Sequence, residues 1–451
     1  MLDKESLRIL GEALEKLDAG FAALPEFDAR VPGAERVAET LAATAERLQD
    51  NYPYFHPLYA GQMLKPPHPV ARLAYALAQW INPNNHALDG GRASSAMEKE
   101  AVAGIAEMFG WKGHLGHLCG GGTMANLEAL WVAGQLARGK KILASEQAHY
   151  THARISGVLE LPFAAVASDA RGRMDIRKLS GHVVRGDVGT VVATMGTTAT
   201  GAVDPLAEIL ELREKYGFRV HADAAYGGYF GLAKNLPEEA RRSFDLLPHV
   251  DSVVIDPHKH GLQPYGCGCV LFRDPAVGKL YKHDSPYTYF SSKEMHLGEI
   301  SLECSRPGAA AAALWATQKL LPLEKGGEFA RGLEDCRKAA VDFYERLEQD
   351  ERFVLAFPPE LDIVVFAPRA ASVSEASKRS RKIFDAAARR NLHLAVAELP
   401  VSFFAANLRG MKKNRASLTC LRSVLMKPEH KEWIGRIWEI LGEATKECMG
   451  N

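Results

Sequence analysis

Two residue types at a particular spacing stand out in this chain. Lys259 sits in Ile255-Asp256-Pro257-His258-Lys259-His260-Gly261, directly after an apolar run. Asp223 sits in His221-Ala222-Asp223-Ala224-Ala225-Tyr226-Gly227-Gly228, after another. Taken singly, the aspartate reads equally well as a helix N-cap or a loop ion pair, and the lysine as a side chain that snorkels to the surface. Taken together, each closing a predicted buried strand, they form the pair that a pyridoxal phosphate site needs. The amine forms a Schiff base with an aldehyde, and the carboxylate keeps a pyridine nitrogen protonated so that the ring can take up electrons. No obvious anionic partner for Lys259 is legible in its sequence surroundings, and Ala224-Ala225 is small enough to let a flat ring approach the backbone.

Other groups could complete such a site. Gly120-Gly121-Gly122-Thr123 precedes a helical run over Met124–Leu136, and glycines ahead of a helix start favour an anion such as phosphate. The run lacks the Gly-Lys-Ser/Thr of a P-loop, which argues against a nucleoside triphosphate. His149 follows a strand and could stack on a ring; His152, three positions later, reads as an ordinary structural histidine. Thr197 and Thr198 end another strand, where their hydroxyls could bond a cofactor, brace Asp223 or cap the turn. His258-x-His260 and His149-x-x-His152 are the densest histidine pairs, and neither has metalloenzyme spacing, so no metal is expected.

The elements that must position these groups follow from periodicity. Strand-like runs occupy Lys141–Ala144, Thr190–Met195, Arg219–Ala222, Ser252–Ile255 and Cys269–Phe272, with helical stretches between several of them. Alternation of this kind predicts an α/β fold with a mostly parallel sheet between helices. Ser95-Ala96-Met97-Glu98 reads as a capping box opening a helix that runs toward Phe109. Asp204 reads as the N-cap, Pro205 as the first turn and Gly217 as the stop of a further helix. Ahead of the sheet, Leu7, Leu10, Leu14 and Leu17 mark an amphipathic helix, and another is predicted near 69–80. After Pro307 an alanine-rich helix leads to helix 328–349, strand 361–366, helix 373–390, a strand near 392–397 and a last helix near 428–447. The organisation predicted is an N-terminal helical segment (1–90), a large sheet domain (91–310) and a small C-terminal α+β domain (311–451).

Bulk properties narrow the function. The chain has 451 residues, 47% hydrophobic and 24% charged, with 55 basic residues balancing 55 acidic ones. Without a basic block or an acidic tail, no nucleic-acid partner is expected. Seven cysteines scattered over this length do not form a disulfide framework, and buried free thiols are expected. The start Met1-Leu2-Asp3-Lys4-Glu5 has no apolar signal core and the alanine run near 309–316 is too short to span a bilayer, so a soluble, cytoplasmic protein without a membrane partner is expected.

Gly121-Gly122-Thr123-Met124-Ala125-Asn126, Gln147-Ala148-His149, Thr194-Met195-Gly196-Thr197-Thr198, the Asp223 run, Asp256-Pro257-His258-Lys259, Asp362-Ile363-Val364-Val365-Phe366 and Leu421-Arg422-Ser423-Val424 occur in one order over nearly the whole chain. In that set and order the sequence resembles the group II pyridoxal-phosphate-dependent amino-acid decarboxylases. The resemblance implies fold type I, the aspartate-aminotransferase fold, with a seven-stranded-type sheet carrying helices on both faces. It implies that Lys259 binds the cofactor, Asp223 pairs with its ring nitrogen and His149 stacks on the ring. By the same carry-over Ala225 packs on the other face, Gly122 and Thr123 hold phosphate, and Thr197 supports Asp223. Asp256 and His258 flank the lysine as cofactor-site residues, and Arg422 binds a substrate carboxylate. A homodimer with shared active sites is implied too, Tyr54, Phe55 and His56 facing substrate.

The chain departs from the best-known members after the lysine. His260 stands where Trp or Met is frequent, and Gly261-Leu262-Gln263-Pro264-Tyr265-Gly266-Cys267 looks more like the archaeal tyrosine/aspartate decarboxylases and the sphingosine-phosphate lyases. The mobile-loop tyrosine that donates a proton in many members has no clear counterpart; Tyr287, Tyr289 and His296, near Lys293-Glu294-Met295, are the candidates. The expectation is decarboxylation of an L-amino acid to its amine and CO₂. Tyr52, Tyr54, Phe55 and Tyr265 favour an aromatic substrate such as tyrosine or tryptophan. The rivals are carbon–carbon lyase chemistry, an aldehyde-forming reaction, and a non-catalytic binding scaffold.

Overall fold

A computed structural model describes residues 4–27, 33–282 and 295–449. The chain begins with helices α1 (Lys4–Ala19), α2 (Ala34–Leu48), α3 (Pro69–Gln79) and α4 (Leu88–Met108). A βα succession follows: β1 (Leu115–Cys119), α5 (Gly122–Leu136), β2 (Lys141–Ser145), α6 (Thr151–Val158), β3 (Phe163–Val166), α7 (Ile176–Val183), β4 (Val188–Thr194), α8 (Leu206–Tyr216), β5 (Arg219–Asp223), α9 (Glu238–Asp245), β6 (Ser252–Ile255), β7 (Gly268–Phe272) and the short α10 (Gly278–Tyr281). The remainder is α11 (Gly308–Leu320), α12 (Glu328–Glu348), β8 (Phe353–Leu355), β9 (Ile363–Pro368), α13 (Val373–Ala388), β10 (Ala395–Pro400), β11 (Ser417–Val424) and α14 (His430–Met449).

The seven strands from the first half order as β1-β7-β6-β5-β4-β2-β3. All pairs from β6 to β3 are parallel, and β7 runs antiparallel to both its neighbours. β4 and β7 are buried along their whole length, which is why they read as unbroken apolar runs rather than alternating ones. A second sheet, β10-β11-β9-β8, is wholly antiparallel. The alanines of α11 give it a smooth face that packs between α3 and α4.

Two sequence readings are corrected here. Ser95 and Glu98 do not open a helix; they lie inside α4, which starts at Leu88 and bends at Gly91. Glu98 is buried and takes hydrogen bonds from Leu118 N (2.9 Å), Asn85 Nδ2 (2.6 Å) and Arg306 Nη1 (2.8 Å), so distant partners, not a helix start, explain the glutamate. Asp204 does not cap α8. Its carboxylate accepts from Met174 N (2.7 Å) and Thr194 N (2.8 Å), and Pro205 holds the cap position; Gly217 ends the helix as expected. The strands β1, β3, β8 and β11 were not anticipated as such; the first three are short and lack the alternation that marks a half-buried strand.

The seven cysteines are unpaired and five of them are buried. No helix among the described residues is long and apolar enough to cross a membrane.

Candidate active site

Parallel strands deliver their carboxyl ends to one edge of a sheet, and ligands bind α/β sheets there. β5 ends in Asp223, β4 in Thr194, and β6 is followed at once by Asp256. These ends line a cavity of about 540 Å³ that also meets Gly120, Gly121, Gly122, Thr123, His149, Ala225, Tyr226, His258 and Lys259. Lys259 and Asp223, far apart in the chain, thus share one cavity.

The lysine reaches it by a tight turn, its backbone N–H donating to Asp256 O (2.9 Å). Its side chain is one-fifth exposed, and Nζ lies 3.1 Å from Asp256 Oδ2. The lysine therefore has an anionic partner three residues before it, contrary to the sequence reading. His258 Nε2 stands 3.6 Å from the same oxygen, and its ring lies against Tyr265 with centroids 4.7 Å apart. Burial pushes the His258 ring below its ordinary pKa against the pull of Asp256.

Asp223 is almost fully buried, and burial alone would push its carboxyl up. It is nevertheless held well below the usual carboxylate range. His152 Nε2 contacts Oδ2 at 2.7 Å, and Lys259 adds positive potential. The carboxylate also accepts from Ala225 N at 3.2 Å. Thr197, expected to support Asp223, does not: its hydroxyl meets Thr200 Oγ1 (2.9 Å) and Ala202 N (3.1 Å), bracing its own turn. His152 is the residue that sequence reasoning overlooked. Its one signal was its place three residues after His149, around the start of α6, which puts both rings near the same strand end. Behind Asp223, His221 is locked between Asn126 Oδ1 and Ser252 Oγ, each at 2.8 Å.

The glycine run forms the opposite wall. Gly121 adopts φ 147°, a backbone region that favours glycine, and caps α5 without a side chain, leaving the first-turn amides of a fifteen-residue helix open to the cavity. A Cβ on Gly122 would stand 2.7 Å from Asp256 Oδ2. His149 lines the cavity half-buried, its Nδ1 2.7 Å from Thr151 Oγ1, and burial pushes its ring toward the neutral form. A buried ionised carboxylate, a lysine and a helix N-terminus on one cavity are the donor set for a cofactor with a ring nitrogen, an aldehyde and a phosphate. The residues present fit pyridoxal phosphate.

Several expected residues are elsewhere. Arg422 lies buried on β11, bonded to Gln62 Oε1 (3.1 Å) with its Nε and Nη2 unpartnered, and is not on the cavity wall. Phe55 is exposed, and His56 packs edge-on against Trp433 at 4.8 Å. Tyr52 and Tyr54 cluster with Tyr59, and Tyr265 bonds Met63 O (3.0 Å). The cause is local: this segment is tied to the second sheet through Ala60 N to His393 O (2.9 Å) and Val424 N to Ala60 O (2.7 Å). His296 is buried away from the cavity, its Nδ1 accepting from Leu88 N at 3.1 Å. Tyr287, Tyr289, Lys293 and Glu294 lie outside the described residues.

Comparison with known proteins agrees with this geometry. The family described as "Pyridoxal-dependent decarboxylase conserved domain" matches residues 131–369. A probable L-tyrosine/L-aspartate decarboxylase of Methanothermobacter thermautotrophicus is 29% identical over 331 residues, covering 72% of this chain and 86% of its own. An L-tyrosine decarboxylase of Enterococcus faecium is 27% identical over 454 residues, covering 77% of this chain and 74% of its own. Among solved structures, mouse CSAD in apo form shares the fold with a TM-score of 0.79 at 20% identity, over 100% of this chain and 93% of that one.

Proposed function

The chain belongs to the pyridoxal-dependent decarboxylase family, whose members are pyridoxal-phosphate-dependent carboxy-lyases acting on amino acids, and on that premise we propose that Lys259, Asp223 and His149 carry the reaction here. The observation that supports this most is that Lys259 and a buried, ionised Asp223 open onto one cavity with the N-terminus of α5. Bound there, pyridoxal phosphate supplies an aldehyde for an amine to condense with and a protonated ring that accepts the electrons freed on loss of CO₂.

The chain's own groups do the rest. Gly122 and Thr123 offer amides and a hydroxyl to the phosphate. Asp223 presents a charge to the ring nitrogen and is kept anionic by His152. Asp256 Oδ2, 3.1 Å from Lys259 Nζ, holds the amine in place at the cavity. His149, half-buried and neutral, offers a flat face to the ring, and Ala225 leaves room on the other side.

The substrate we favour is an aromatic L-amino acid, in keeping with the names of the two relatives, and aspartate is the acidic alternative that one name carries. We further propose a homodimer. α1 and α2 bury none of their residues in one chain, and Phe27, Leu24, Leu41 and Leu48 are exposed. The exposed Phe55 is then free to meet a partner's cavity.

The deciding experiment is mass spectrometry of products from cofactor-loaded protein and a panel of L-amino acids. An amine with equimolar CO₂ supports the proposal and identifies the substrate. The burial of His296 away from the cavity favours a second reading, aldehyde formation with dioxygen as the oxidant, and an aldehyde with ammonia, CO₂ and hydrogen peroxide as the products would establish it instead.

A further inference from the structure

Behind the cavity lies a buried polar chain that the proposed mechanism does not use. Tyr226 follows Ala225, lines the cavity, and donates its phenol to Asp362 Oδ1 at 2.5 Å. Asp362 immediately precedes β9 of the second sheet and is fully buried. Its other oxygen lies 3.1 Å from Nε2 of His260, the residue after Lys259. That contact is close but bent, since neither atom has an in-line hydrogen-bond partner. The His260 ring is itself clamped edge-on between Tyr226 and Phe230, with centroids 4.9 Å away in each case.

A charge this deep is costly unless it is paired. Burial acts to raise the Asp362 carboxyl, but His260, Tyr226 and Lys65 outweigh it and hold it below the ordinary range. Burial pushes His260 down, toward the neutral ring, even against Asp362. One negative charge on Asp362, with the Tyr226 phenol donating to it and a neutral His260 ring beside it, is a consistent assignment. The groups facing Asp362 are thus His260, Tyr226, Lys65 and, at longer range, Arg422, Cys336 and His430.

Two hydrophobic residues would join the two sheets more cheaply than this arrangement, as buried ion pairs are often no better than an apolar core. What the charge adds is a fixed link from the second sheet to both sides of the cofactor lysine. We propose that Asp362 is a positioning residue for Lys259: through Tyr226 it fixes the cavity wall beside Asp223, and through His260 it fixes the backbone and the potential at which Lys259 presents its amine. The inference rests on the assignment of Lys259 to the cofactor.

The test uses the cofactor-loaded full chain and the variants Asp362→Asn, His260→Met and Tyr226→Phe. Three readouts are taken: the pH titration of the bound cofactor's visible absorbance, the cofactor dissociation constant, and the melting temperature of each apo chain. Removal of the Asp362 charge is expected to move the absorbance midpoint to lower pH by about half a unit or more, because a cationic form near Lys259 loses a stabilising anion. Cofactor affinity is expected to fall by roughly fivefold or more, and kcat to fall further than KM rises. The Asp362→Asn/His260→Met double variant is expected to be no worse than the more damaged single one, since the two act as a unit. Lowered melting temperatures with an unchanged titration and an unchanged dissociation constant would overturn the inference and leave a purely structural bridge. Should Asp362→Asn not fold, wild-type titrations in both His260→Met and Tyr226→Phe overturn it equally. Wild-type protein that takes up no cofactor overturns the Lys259 assignment itself, and the inference with it.

Discussion

Asp223 is a carboxylate that burial alone would neutralise, and one imidazole keeps it charged. His152→Ala is therefore expected to let the Asp223 carboxyl rise toward or above its ordinary range and to lower kcat by at least about tenfold, a loss of about 1.4 kcal/mol of transition-state stabilisation, with a smaller change in KM. Steady-state kinetics with a pH profile of kcat check it; an unchanged profile removes His152 from the account. Lys259→Ala is expected to leave no borohydride-reducible attachment of cofactor and to lower turnover by roughly a thousandfold or more, read by mass spectrometry of the reduced protein and by product assay. The pair Lys259 and Asp223 was legible because each closes an apolar run, and strand ends converge in parallel sheets. His152 was not, because its meeting with Asp223 is a contact between the start of α6 and the end of β5, and no local pattern encodes it. Thr197 misled for the complementary reason: a hydroxyl at a strand end can turn inward to brace its own loop, and here it does.

At the scale of elements, the cofactor wall depends on how close β7 lets the glycine run approach. A Cβ on Gly268 would stand 2.5 Å from both Cα and C of Gly121, with backbone on the receiving side and nothing that can rotate away. Gly268→Ala is expected to push the loop outward, to cost about 1–3 kcal/mol of stability by overpacking, and to weaken cofactor binding more than it weakens the fold. Fluorescence titration of cofactor beside a denaturant melt separates the two effects; equal losses in both would count against a special role for this contact. Many of the helices and strands were legible from periodicity, and the C-terminal end of α8 from Gly217. The failures at Ser95/Glu98 and Asp204 share one cause. Capping residues are also good hydrogen-bond acceptors, and here remote donors, Arg306 and Leu118 in one case and Met174 and Thr194 in the other, claim them.

For the whole molecule, acid should be more damaging than the balanced charge suggests. Burial holds His221 and His430 down at about 3 and lowers His68, His114, His149, His258, His260 and His393 as well. Below about pH 6.5 the unfolded chain binds protons that these native rings refuse, so their contribution is full above that pH and is lost as pH falls toward 3. Asp204, pushed up to about 7, and Glu360, also raised, work the other way, their contribution fading as pH rises through the native value. The histidines outnumber them, and a net loss of about 1 kcal/mol or more per pH unit is expected between pH 6.5 and 5; calorimetry across that window checks it, and a flat profile would contradict it. Sedimentation is expected to give twice the 49.3 kDa chain mass, and removal of residues 1–48 to yield monomer. The acid sensitivity was not visible in the sequence, and neither was the strand order, because both depend on which distant segments meet. That order has a consequence for biosynthesis. β1 is made early, yet its sheet partner is β7, on the far side of all the parallel strands in the chain. The glycine run stays unsupported on the ribosome until Gly268–Phe272 has emerged, and such non-local pairing is slow to form. A nascent chain halted before β7 should therefore be blind to cofactor, and capture should come as one late event rather than growing with length.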